Sequence, residues 1–520
     1  MMILKTSFLL LFVSSLPPQV KSAKSQQKSS PNLPRLLIFS FDGFRADALS
    51  ASVTPTLYSL AATGVTGQMR PTFPSKTFPN HHSIATGLYQ PYHGVVNNKF
   101  IDPAIAGSLE GTSSEKFSVD NGSAFWWDMY DRNVPLYIAN QVFEPERRFS
   151  GALQWPGAIS TYTGGVFDQD EAEEEDFSDP RIQRIRHRVR HLLPFSRTLN
   201  WTAAIDHVVD RWLLSPFHPA NLVLLYFHEP DSTSHEFGPF SRQVRQKLIK
   251  LDQMVAYFLD RLHEEALDTS TNLLFISDHG MTEITPSRVI TLDRCAEVLG
   301  PGLNYRLVGV SPVFSIVPLS APEEFFPKSS GSNLTSAVQS ALNHCSRRLF
   351  NGKFTVYQQA EIPAEYHYSG NRRILDLLLL AEDGYEVKYT QNDGKRIPKG
   401  NHGFNNSLPS MRPLFIACGP AFKSGGGGYH HLKIFENVDL YPLALELLGI
   451  PGHLFPSNGS LERVAGLLRG GGGFCGDEEG DEDEAFGGKV HVMALFQTIL
   501  FAALLFSLLF TSQRGLRGRY

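Results

Sequence analysis

The chain has 520 residues, 42% hydrophobic and 19% charged, with a formal net charge of −5. This balance describes a globular, mildly acidic protein and gives no basis for a polyanionic partner such as nucleic acid. The length exceeds one average domain, yet a single α/β enzyme core with insertions can fill most of it.

In chain order, residues 1–22 carry a lysine near the start, an apolar run from Phe8 to Val13 and small residues near Ser22. They read as a secretory signal peptide, the run being too short to cross about 30 Å of hydrocarbon. Residues 33–468 alternate short apolar runs with helical patterns. LLIFSF (36–41), NLVLLYF (221–227), NLLFIS (272–277) and PLFIAC (413–418) have the length and composition of buried strands. Val244, Leu248, Leu251, Val255, Phe258 and Leu262 recur in steps of three and four, which predicts a helix with one buried face. The expectation is an α/β fold with a mostly parallel central sheet flanked by helices.

An acidic-then-basic patch at 168–191 reads as a solvated insertion. Of four cysteines, Cys295 and Cys345 are paired here on sequence proximity alone, and Cys418, inside LFIACG, is either bonded or a buried free thiol. Asn121, Asn200, Asn333, Asn405 and Asn458 stand in glycosylation sequons. Residues 469–489, glycine-rich and acidic, predict a flexible stalk. Residues 492–511 carry no charge and predict a transmembrane helix, and the arginines of the tail 512–520 place that tail in the cytosol. The chain is thus expected to be a single-pass type I membrane protein, with its bulk outside the cell or in the lumen of the secretory pathway.

The chemistry lies in the residues just past the predicted strands. LLIFSF runs into Asp42, NLVLLYF into HEPDSTSH with Asp231 and His235, and NLLFIS into Asp278 and His279. Ligands of open α/β sheets bind at the carboxyl ends of strands, so these groups should converge. Aspartate and neutral histidine suit zinc, and His402, between glycines in KGNHGFNN, is a natural completing ligand. Each motif alone is more often a turn. Together they match two metal ions, the arrangement for in-line displacement at phosphorus. In PSKTFPNHHSIATG, Thr77 stands at a predicted helix start, where a hydroxyl is either a simple N-cap or a nucleophile near unpaired N–H groups. Metal coordination makes the two readings compatible. The neighbouring His81 and His82 are assigned to packing or to supporting contacts.

The chain resembles the ecto-nucleotide pyrophosphatase/phosphodiesterase family of the alkaline phosphatase superfamily. The resemblance rests on SFDGFRAD (40–47), FPSKTFPNHHSIATGLYQPYHGVVNNKF (73–100), QWPG (154–157), HEPDSTSHEFGP (228–239), ISDHGM (276–281), GNHGFNN (400–406) and NVDLYPLALELLGIPG (437–452), in the family's order. It implies an alkaline-phosphatase-like fold and two zinc ions, one held by Asp231, His235 and His402, the other by Asp42, Asp278 and His279 with Thr77 facing it. Thr77 would attack the phosphodiester to give a covalent threonyl phosphate that water then hydrolyses, and Asn98 would help stabilise the phosphoryl oxygens. Phe78 matches a residue that packs on the nucleotide base, and Tyr226 is a second candidate for that pocket; core packing is the alternative for both. Expected substrates are nucleotides or dinucleotides, cleaved to nucleoside monophosphates. A choline or other phospholipid phosphodiesterase of the same fold, and an inactive membrane-anchored adhesion protein, are the competing readings.

Overall fold

The computed structural model describes residues 33–470 apart from 106, 108–115, 119–121, 130–132, 164–185, 301, 321–333, 391–393, 395 and 425–433. The expected signal peptide, membrane run and cytosolic tail lie outside the described residues, as do nearly all of the stalk, most of the charged patch, Asn121, Asn333 and Cys475. Among the described residues no helix is long and apolar enough to cross a membrane.

The strands used below are, in chain order, β1 (Arg35–Phe41), β2 (Val65–Thr66), β3 (Phe149–Leu153), β4 (His191–Leu193), β5 (Ala220–Phe227), β6 (Thr271–Ile276), β7 (Asn304–Val310), β8 (Val313–Ser320), β9 (Phe354–Gln358), β10 (Leu377–Ala381) and β11 (Phe415–Cys418). A seven-stranded sheet takes the order β2-β11-β6-β1-β5-β3-β4. Its β6-β1-β5-β3-β4 part is parallel throughout. PLFIAC forms β11, antiparallel to both β6 and β2.

The strands are apolar end to end because both faces of the sheet are covered. Leu36 and Ile38 of β1, with Leu222, Leu224, Leu274 and Ile276, face one side. There they meet α2 (Thr77–Thr86) and α6 (Leu440–Leu448) through Ile84, Leu443 and Leu445. Leu37, Phe39 and Phe41 face the other side, against α1 (Pro55–Thr63) and α4 (Arg242–Glu264). All six apolar residues named for the periodic helix are buried in α4. Each adds roughly 1.5–3 kcal/mol relative to exposure, so this one stripe anchors the helix.

A second, antiparallel sheet of order β7-β8-β10-β9 packs on α5 (Leu334–Leu349) over its own core. Cys295 and Cys345 form a disulfide within that core. Cys418 is a free thiol, raised to about 12 by burial.

Candidate active site

The carboxyl ends of β1, β5 and β6 lie side by side and point the same way, so the residues after them meet. Backbone bonds join two of these ends directly: the Asp42 N–H donates to Phe227 O and the Asp231 N–H to Asp42 O, both at 2.9 Å. Gly43 makes the turn with φ +68°, and a Cβ there would stand 3.0 Å from Asp231 Cβ. Only glycine meets both demands easily. Past β6, Gly280 lies so close to the neighbouring loop that a Cβ would fall 2.0 Å from Ser410 O. α3 (Asp231–Phe237) starts at Asp231 and carries His235 one turn on.

Six side chains converge. His279 Nε2 is 3.0 Å from Asp278 Oδ2 and 3.4 Å from Asp42 Oδ1. Asp231 Oδ1 is 3.3 Å from His235 Nε2 and 3.5 Å from His402 Nε2. A tetrahedral ion with bonds of about 2.0–2.1 Å holds its ligand atoms roughly 3.3–3.4 Å apart. The observed separations, 3.0–3.5 Å, match that spacing. Asp42, Asp278 and His279 form one potential ligand group, and Asp231, His279 and His402 a second. His279 appears in both potential groups, and its ring stacks on His402 at 3.6 Å. His235 joins the second group through Asp231.

Two further observations show that the residues fit cations. Asp42 Oδ1, Asp231 Oδ1 and Asp278 Oδ2 are buried and have no hydrogen-bond partner, a costly state for a carboxylate unless a cation takes the lone pair. Each histidine uses Nδ1 on a backbone carbonyl: His235 on Gly400 O at 2.7 Å, His279 on Gly280 O at 2.8 Å and His402 on Ser75 O at 2.8 Å. That bond fixes the proton on Nδ1 and turns the Nε2 lone pair inward, the usual support for a metal-binding imidazole.

The charges strain one another. Burial, then the charges of Asp278 and Asp231, pushes Asp42 well above the usual carboxylate range. Burial, reinforced by His279, Lys76 and His235, holds His402 far below ordinary histidine. Burial also lowers Lys76 to about 8, against the pull of Glu386 and Asp231. A divalent cation inverts this logic, favouring ionised carboxylates and neutral imidazoles.

Thr77 opens α2 as its first residue, with Lys76 rather than Thr77 at the N-cap position. The Thr77 side chain is 3.3 Å (Oγ1) from His279 Nε2, and its N–H has no partner within the helix, as at any first position. Asn98 Oδ1 accepts the Phe78 N–H at 3.0 Å, and the half-buried Phe78 ring packs edge-on to Phe117. Tyr226 departs from the expectation of a base-pocket residue. It is buried, lies edge-on to His81, and its hydroxyl donates to Asp42 Oδ2 at 2.5 Å, so its polar end serves a carboxylate. His81 supports the site from behind, and His82 packs among aromatic rings beyond it. His81 bonds Ser40 Oγ and Thr77 O, both at 2.8 Å, while His82 bonds Trp127 O at 2.9 Å. Motif reading did not single out Tyr226 as a partner of Asp42, nor Lys76 and Asn401 beneath His402. The one sequence signal for Asn401 is its place beside His402.

A mostly parallel α/β sheet with carboxylates and histidines gathered at its strand ends defines a metallohydrolase of alkaline-phosphatase-like fold. The description "Type I phosphodiesterase / nucleotide pyrophosphatase" matches residues 36–405, and the chain belongs to that family. It is 32% identical over 448 residues to Bis(5'-adenosyl)-triphosphatase enpp4 of Xenopus laevis, covering 86% of this chain and 84% of that protein. It is 30% identical over 439 residues to human ectonucleotide pyrophosphatase/phosphodiesterase family member 5, covering 84% and 79%. Among solved structures, an inactive variant of murine ectonucleotide pyrophosphatase/phosphodiesterase 5 in complex with AMP superposes with a TM-score of 0.66 at 29% identity, over 84% of this chain and all of that one.

Proposed function

We propose that the chain is a two-zinc phosphodiesterase that hydrolyses nucleotides or dinucleotides to nucleoside monophosphates through a covalent ester on Thr77. The observation that carries this reading is the set of three buried carboxylate oxygens without hydrogen-bond partners, facing three histidines whose Nε2 atoms are turned inward. Zinc ions, when bound, would favour the ionised Thr77 hydroxyl and offset charge on the phosphoryl group. Thr77 Oγ1 gives up its proton and forms the bond to phosphorus as the bond to the leaving oxygen breaks; water then attacks phosphorus, the bond to Oγ1 breaks, and the Thr77 hydroxyl regains a proton. The Asn98 oxygen is taken by the Phe78 N–H, which leaves the Asn98 NH2 as donor to a developing phosphoryl charge. Phe78 offers the nucleobase an aromatic face. A bis(5'-adenosyl) triphosphate fits because it has a phosphoric anhydride and a base at each end. The names and the AMP complex of the relatives support a nucleotide over a phospholipid.

The same reading puts the domain outside the cell or in the lumen, anchored by residues 492–511. Its support is the apolar run itself, the amino-terminal segment, and a disulfide suited to an oxidising compartment. Asn200 is exposed, and Asn405 and Asn458 are half-buried, so all three are offered as glycosylation sites.

The test uses the detergent-solubilised full chain on p-nitrophenyl thymidine 5'-phosphate, diadenosine triphosphate and a lysophospholipid. Thr77→Ala should lower nucleotide hydrolysis by on the order of 10³-fold or more. Unchanged turnover in that variant refutes the mechanism, and turnover of the lipid alone refutes the substrate.

A further inference from the structure

Lys76 immediately precedes Thr77 and is only 2% exposed. Burying an ammonium is expensive unless it is paired and hydrogen-bonded, so its surroundings need a reason. Its Nζ donates to Ser311 O at 2.7 Å and to Asn401 Oδ1 at 3.4 Å. The same Asn401 oxygen accepts the His402 N–H at 2.8 Å, while Asn401 Nδ2 donates to Glu386 Oε2 at 2.7 Å and Ser311 O at 3.2 Å. Glu386 and Asp231 supply the opposing charge. The Lys76 stem passes so close to Gly403 that a Cβ there would lie 2.4 Å from Lys76 Cε. At its backbone end, Lys76 O accepts the Asn80 N–H at 3.1 Å and Asn80 Nδ2 at 2.8 Å.

One residue therefore ties three separate pieces of chain together. They are the first turn of α2, the loop that carries His402, and the turn between β7 and β8 in the second sheet. We propose that Lys76 is a positioning residue, whose ammonium fixes the Thr77 hydroxyl relative to His402. The role rests on Thr77 being the nucleophile. Lys76 acts through Asn401 and the start of α2, since the two hydrogen bonds of its ammonium go to protein oxygens. Losing the ammonium would leave Ser311 O and Asn401 Oδ1 short of a buried donor and let the His402 loop shift. A misplacement of about 1 Å at such a site costs on the order of 10²-fold in rate.

Lys76→Met keeps the length of the stem and removes the charge. Its kcat on p-nitrophenyl thymidine 5'-phosphate should fall about 10²-fold with KM within about 3-fold. Zinc affinity, read by competition with a chromophoric chelator, should weaken about 10-fold because the His402 support is lost. Thr77→Ala is measured beside it. An active Thr77→Ala enzyme overturns the nucleophile assignment. An inactive Thr77→Ala with a folded Lys76→Met enzyme of wild-type kcat and zinc affinity overturns the Lys76 role alone. If Lys76→Met does not fold, Glu386→Gln removes the opposing charge without touching Lys76, Thr77 or His402. That variant should lose kcat by about 10-fold at constant KM, and wild-type kinetics there would likewise overturn the role.

Discussion

Tyr226→Phe separates two roles that one side chain could play. The ring is kept, so its edge-on packing against His81, with centroids 4.8 Å apart, survives. Only the hydroxyl that donates to Asp42 Oδ2 at 2.5 Å is lost. Asp42 is already hard to ionise because of burial and its neighbours Asp278 and Asp231, and the Tyr226 bond is what pulls the other way. A hydrogen bond to a charged group is worth about 1.5–3 kcal/mol net. At 1.4 kcal/mol per factor of ten, a metal held by Asp42 should bind roughly 10- to 150-fold more weakly. The assay is zinc competition against a chromophoric chelator, with kcat and KM for p-nitrophenyl thymidine 5'-phosphate at saturating zinc. Affinity should drop and KM stay near wild type. Unchanged zinc affinity with a raised KM refutes this reasoning and returns Tyr226 to the base pocket.

Gly280→Ala must displace Ser410 O, which a Cβ would approach to 2.0 Å. Because this is backbone against backbone beside His279, the variant should unfold several degrees earlier and lose most of its zinc affinity, both readable in a thermal shift with and without zinc. Burial lowers His82 to about 4, partly opposed by its bond to Trp127 O, against an unfolded value near 6.5. Its folded pKa is depressed, so this stability is complete above about pH 6.5 and is lost as pH falls toward 4, by up to about 3 kcal/mol. In EDTA-treated protein, His82→Gln should give a shallower loss of stability over that window, and parallel curves for the two proteins would show that His82 does not titrate this way.

The legible parts of the fold were those where local pattern and tertiary environment agree. LLIFSF, NLVLLYF and NLLFIS are continuously apolar because helices cover both faces, and they appear as β1, β5 and β6 within one residue at either end. FSGAL and HLL, which form β3 and β4, carry no such signal. Gly151 is there because a Cβ would lie 2.5 Å from the Trp212 ring, a constraint set 61 residues away in sequence. The direction of β11 was equally hidden, since an apolar run reads the same both ways. At the site, DG, DxxxH and DHG after strand ends pointed to side chains that do converge, whereas the presence of His279 in both potential groups depends on how closely the separate segments approach. Tyr226 read as a base-pocket or core aromatic; its hydroxyl partner Asp42 lies 184 residues earlier. Nothing local marks Lys76 as buried, because the groups that enclose its ammonium come from residues 311 and 401.

These long-range contacts share one electrostatic purpose. Asp42, Asp231 and Asp278 bring three negative charges into a nearly dry space, and Lys76 returns one positive charge from below. Carboxylates alone would resolve the excess by keeping a proton on Asp42, which is the direction in which burial and its neighbours push it. Two divalent ions in the proposed reading would instead ionise all three, so that four positive charges meet three carboxylates beside Thr77. Such a surplus favours a phosphodiester anion, and favours still more the charge that builds as phosphorus is attacked. Without Lys76, Ser311 O and Asn401 Oδ1 each lose one of two donors at the point where His402 joins the loop. In the proposed reading the nucleophile and the ligand loop are therefore held by the same buried cation, which is why substitution there is expected to appear in kcat before it appears in KM.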